Sequence, residues 1–213
     1  LFLSNIFLLI SLRRIYSLKN NGRIPVKIFD ACFWLGISVL FYNHLILFWT
    51  VLFMGLVFYK RLDFKNILIS ILGLSIPLFL YFVYSFSFDQ LPNFFKLFEL
   101  EFDNHIIFYG NLSLLIPMSI LMSLLIWSIF SITLGVNMVN AKNRSSWFLV
   151  LFNLMIALLI AYTNTNKNGS ELLFLFFPAS VILANYIQKE KDKWFRNLVL
   201  YLVFGIGIGI YFL

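Results

Sequence analysis

Residues 13–27 read RRIYSLKNNGRIPVK, five cations in fifteen positions, and they part the apolar run 1–12 from the apolar run 28–42. Short loops rich in Lys and Arg stay on the cytoplasmic side of a membrane during insertion, so such a stretch fixes topology directly. The pattern recurs at Lys60–Lys65, Lys142–Arg144 and Lys189–Arg196. These four clusters hold 14 of the 16 Lys and Arg residues, and only Lys96 and Lys167 fall between them. The chain reads as a polytopic membrane protein with all four clusters on the cytoplasmic side.

Composition closes off other classes. Hydrophobic residues make up 62% of the chain and charged residues 12%, against about 45–50% and about 25% in soluble domains. A soluble fold of 213 residues has too little interior to hide that much apolar surface. The formal charge of +7 is split among loop ends, which suits an anionic leaflet and not a nucleic acid. The single Cys32 excludes an internal disulfide and any multi-cysteine metal site. The chain starts Leu-Phe-Leu-Ser with no basic region ahead of its first apolar run, unlike a signal peptide. It therefore reads as one transmembrane domain, 1–213, forming the C-terminal part of a longer chain.

Crossing a hydrocarbon core of about 30 Å takes roughly 20 helical residues. The runs 66–86, 113–134, 147–162 and 171–188 meet that need, with partial spans at 1–12 and 198–213. Ile28–Tyr42 and Leu45–Tyr59 are shorter, 15 residues each, and at about 1.5 Å per residue would cover ~22 Å. Both flanks are basic, so this pair forms a hairpin. Its tip, Asn43-His44, either reaches the far side or stops at membrane depth inside the bundle. Residues 87–112 form the long outer stretch. There Leu91, Phe94, Phe95, Phe98 and Phe102 recur at helical spacing, the mark of a helix lying in the interface.

Residues able to carry chemistry are few and gather on the outer face. His44 sits at the hairpin tip, where a buried polar group needs a partner or a task. Glu99, Glu101, Asp103 and His105 lie in the outer stretch, and Glu171 opens the next helix. Glu99 and Glu101 point about 200° apart on a helix and form no dyad, whereas Asp103 and His105 could ligate a metal or exchange a proton. Each has an ordinary structural role to set beside this: Glu171 can cap a helix, and the outer acids can face water opposite the Phe stripe. No paired His for zinc, no P-loop and no Gly-x-Ser-x-Gly elbow is present, so no metal or cofactor site is expected. Gly205, Gly207 and Gly209 suit close helix packing, and Trp147 and Trp194 read as interface anchors.

The segment Phe29-Asp30-Ala31-Cys32-Phe33-Trp34-Leu35-Gly36, followed by Lys60-Arg61 and Gly73-x-x-x-Pro77, resembles a stretch of the GT-C type membrane glycosyltransferases. Glu171–Ala179, an apolar helix start ending at Pro178, resembles the same group. The resemblance implies a polyprenyl-phosphate sugar as substrate and a groove on the outer face. The family's catalytic acid would fall upstream of Leu1, and Glu171 stands where the family often has Tyr or Arg. The chain also looks like an uncharacterised family of bacterial inner-membrane proteins.

The expected architecture is an all-α polytopic bundle with a short-helix hairpin and an outer interfacial helix. Two functions stay open: a lipid-linked sugar transferase or degenerate relative of one, or a non-catalytic subunit of a membrane complex. The first needs outer carboxylates converging on one cavity with His44. The second needs a broad contact with other membrane subunits.

Overall fold

Backbone in hydrocarbon must satisfy its own hydrogen bonds, and long apolar runs do so as helices. The computed structural model describes residues 1–99, 112–135, 141–163 and 169–189, with scattered positions between 194 and 205. The helices are α1 (Phe2–Ser17), α2 (Ile24–Phe41), α3 (Trp49–Phe58), α4 (Phe64–Ser87), α5 (Leu91–Lys96), α6 (Leu112–Gly135), α7 (Ala141–Thr163) and α8 (Leu173–Lys189). A 3₁₀ segment, Asn43–Phe48, leads into α3, and a 3₁₀ turn, Ser170–Leu172, leads into α8. Among the described residues, five helices are long and apolar enough to cross a bilayer: Ile24–Phe41, Phe64–Ser87, Leu115–Thr133, Asn143–Thr163 and Ser170–Lys189. The chain is an all-α, multi-pass membrane protein.

The basic clusters meet at one end of the bundle. Lys19 Nζ donates to Asn143 Oδ1, Arg61 Nη2 donates to Asn21 Oδ1, and the Tyr59 and Ser146 hydroxyls lie 3.0 Å apart. The turns α1–α2 and α3–α4 and the start of α7 are thus joined there. This is the one-sided distribution of charge that the sequence pattern predicts.

The hairpin differs from the two short arms expected. Helix α2 starts at Ile24 rather than Ile28, with Pro25 in its first turn, where a missing N–H costs nothing. Lys27 is inside the helix, and its ammonium donates back to the carbonyls of Ser17 (2.8 Å) and Asn20 (2.9 Å). Eighteen helical residues rise about 27 Å. In the returning arm six residues are 3₁₀ and ten are α. At about 2.0 and 1.5 Å per residue they also rise about 27 Å. The arms match, and the tip reaches the end opposite the basic clusters, where Asn43 Nδ2 donates to the Glu99 carbonyl (3.0 Å).

Two cores hold the bundle. The larger joins α1, α2, α3 and α7 through residues such as Leu8, Leu12, Ile28, Leu35, Val51, Leu56, Leu149 and Ala157. The smaller joins α6, α7 and α8 through Leu125, Ile132, Trp147, Val150, Ile182 and Tyr186. Two serines tie α1 to α2 in opposite directions: Ser11 Oγ donates to Ala31 O and Ser38 Oγ to Ser4 O, both 2.7 Å and buried. At the α2–α4 crossing, a Cβ on Gly73 would lie 2.8 Å from Cys32 Cβ and 2.9 Å from Phe29 O. Only hydrogen fits there, and small residues let membrane helices approach in this way. The rest of α4 turns outward, exposing Phe79, Leu80, Val83 and Phe86. Of the outer interfacial stretch, the described part holds only the six-residue α5. Phe94 packs against Tyr81 and Phe82 of α4, whereas Phe95 and Phe98 are exposed.

Candidate functional site

At the outer end, the hairpin tip is packed against the start of α8. The Tyr42 ring stacks on His44 at 5.1 Å and on Phe174 at 5.8 Å. His44 is 8% exposed, and its Nδ1 lies 2.8 Å from Asn43 Oδ1. Glu171 is wholly buried in the 3₁₀ turn ahead of α8. Burial, joined by the negative charge of Glu171, pushes the Tyr42 phenol up to about 12, so it remains neutral. Glu99 presents its backbone to Asn43, and its side chain is exposed. Of the six sequence candidates, His44 and Glu171 therefore flank one aromatic residue, and Glu99 joins them through its carbonyl. Glu101, Asp103 and His105 lie outside the described residues.

A second site lies at the basic end and has a cavity. An open cavity of about 680 Å³ lies between α1 (Arg13, Tyr16), α6 (Ile132), α7 (Asn143, Arg144, Ser146, Trp147, Val150) and α8 (Phe177, Val181, Asn185, Lys189). Three cations line it, Arg13, Arg144 and Lys189, and among the described residues no carboxylate does. Its apolar wall comes from Ile132, Trp147, Val150, Phe177 and Val181. The Tyr16 hydroxyl accepts a hydrogen bond from Asn153 Nδ2 (3.2 Å), a partly buried polar contact between α1 and α7. Beside the lining Ser146, burial raises the Tyr59 phenol above its usual value, and the hydrogen bond between the two offsets part of that rise.

Residues 1–212 match a family of unknown function, DUF6427. The chain belongs to this family. No curated protein and no solved structure matches it. Membership of DUF6427 agrees with the expected likeness to an uncharacterised membrane family, and the GT-C likeness finds no support in it. In this DUF6427 chain the two glycines behind that likeness are packing residues. Gly36 of α2 lies against Leu74 and Pro77 of α4, and Gly73 against Phe29 and Cys32.

The basic-end cavity is the site that sequence reasoning missed. Its cations come from three separate clusters, and nothing in the linear pattern says that their side chains share a wall. Trp147, read as an interface anchor, is 7% exposed and lines the cavity. Trp194, read the same way, is 76% exposed. One signal was available: on α8, Phe177, Val181, Asn185 and Lys189 recur every four residues. They form a single face that grades from apolar to cationic.

Proposed function

We propose that this DUF6427 chain is a non-catalytic component of the bacterial cytoplasmic membrane, its basic end inside, serving as a helical subunit alongside other membrane proteins. The observation that carries this reading is the burial of Glu171 behind Tyr42, with His44 almost as enclosed. A carboxylate that attacks or deprotonates a sugar substrate must open onto a cavity. Here the two most enclosed candidates act as the joint between the hairpin tip and α8. The outward aromatic face of α4 and the open space beside Gly205 suit contact with lipid or with another helix.

The lipid-linked sugar transferase remains the second reading. Its support is the Asn43–Glu99 hydrogen bond, which tethers the acid-bearing outer stretch to the hairpin tip and so favours a polyprenyl-phosphate sugar docking at that face. Protein reconstituted in liposomes and offered a polyprenyl-phosphate sugar separates the two readings. We expect no release of polyprenyl phosphate, and His44→Ala to lower Tm. Turnover above empty liposomes, abolished by His44→Ala or Asp103→Asn at unchanged Tm, would establish the transferase and overturn the subunit reading.

A further inference from the structure

The cavity at the basic end carries a separate assignment. Among the described residues, the only ion pair joins Arg14 to Asp30, and no described carboxylate lines the cavity on which Arg13, Arg144 and Lys189 converge. All three are exposed at the mouth of the cavity, where water and salt screen their mutual repulsion and an anion placed among them is attracted by each. A buried donor adds to this: Trp147 lines the cavity, and its indole N–H is buried with no acceptor among the described residues. Asn143, Ser146 and Asn185 supply further polar groups.

The charges and the apolar wall are ordered along the helices. On α8 the lining residues run Phe177, Val181, Asn185, Lys189, and the cation stands at the helix end. On α7 they run the other way, from Asn143 and Arg144 near the helix start to Trp147 and Val150 further in. The two antiparallel helices therefore place their cations at the same end and their apolar residues deeper. A small inorganic anion needs only the rim; a ligand that fills both regions is an amphiphile. Ligand sites commonly enclose about 300–1,000 Å³, and a headgroup with its glycerol and first acyl carbons fits that range. Basic pockets between membrane helices hold anionic lipid headgroups by the same physics.

We propose that this cavity binds the phosphate headgroup of an anionic phospholipid from the leaflet at the basic end. The guanidinium groups of Arg13 and Arg144 and the Lys189 ammonium meet the phosphate, and the first acyl carbons lie along Val150, Phe177 and Val181. This site is independent of the outer-end joint and of whether the protein is a subunit or a transferase.

The test uses detergent-purified full chain and native mass spectrometry, titrating with dihexanoyl phosphatidylglycerol, dihexanoyl phosphatidylcholine and glycerol phosphate. Saturable binding of phosphatidylglycerol is expected, at least tenfold tighter than the other two. The Arg144→Gln/Lys189→Gln variant should weaken it at least tenfold. Lys65→Gln, which removes one cation of the same end outside the cavity, should change it less than twofold. If the double variant does not fold, Val181→Trp serves instead: it fills the apolar wall at unchanged charge and should abolish phosphatidylglycerol binding. Equal affinity for glycerol phosphate would make this a soluble-phosphate site and overturn the lipid assignment. Equal loss in Lys65→Gln, or undiminished binding in Val181→Trp, would reduce the effect to general surface charge and overturn the site.

Discussion

Replacing Gly73 by Ala tests whether the α2–α4 crossing is set by the absence of a side chain. The added methyl would stand 2.8 Å from Cys32 Cβ and 2.9 Å from Phe29 O, where ordinary contact begins near 3.4 Å. A backbone oxygen and a Cβ cannot rotate away, so the helices must part by roughly half an ångström, a shift of the size that overpacking forces. Overpacking of this kind costs about 1–3 kcal/mol. Against it stands the gain of about 0.5–1 kcal/mol for Ala over Gly in a helix interior. Two rigid contacts place the cost in its upper half, which leaves a net loss of about 1–2.5 kcal/mol. Gly205→Ala is the reference: nothing lies within 4 Å of its Cβ position, so only the propensity gain applies. Unfolding by sodium dodecyl sulfate titrated into maltoside micelles should show Gly73→Ala less stable than wild type and Gly205→Ala equal or more stable. If the two variants unfold together, the crossing tolerates a side chain and the reasoning fails.

Ser11→Ala and Ser38→Ala each remove one buried bond between α1 and α2. Each should cost about 0.6 kcal/mol, the usual worth of such a bond in a membrane, measured by the same titration; a loss as large as that of Gly73→Ala would show a wider collapse. Single cysteines at Arg61 and Asn143 should react with an impermeant maleimide from one side of sealed vesicles, and one at Asp89 from the other. Cys32 is buried and should stay silent; labelling of 61 and 89 from the same side would refute the topology.

Much of this architecture is legible in the chain. Charge in short loops is a linear signal, and it foretold the shared end that Lys19–Asn143 and Arg61–Asn21 now mark. The hairpin boundary lies earlier than the pattern predicts because Lys27 reads as loop by its charge, although its long stem allows the ammonium to leave the helix and cap the preceding turn. The 3₁₀ segment left no trace in the pattern, since apolar residues fill Leu45–Phe48 at every position. For the outer candidates, sequence located His44 and Glu171 at one end but could not show that Tyr42 lies beside both. The cavity was hidden for the same reason: three-dimensional neighbours 131 and 45 residues apart, Arg13 with Arg144 and Arg144 with Lys189, carry no local signature.

The matched rise of the hairpin arms makes the height of its tip a property of pitch. Rewinding Asn43–Phe48 from 3₁₀ to α would shorten that arm by about 3 Å. Asn43, now 3.0 Å from the Glu99 carbonyl, would then be drawn out of hydrogen-bonding reach. A bilayer thinner by that amount favours the shorter arm, at a fraction of a kcal/mol per Å of mismatch. Membrane thickness and the docking of the outer stretch are thereby coupled through six residues.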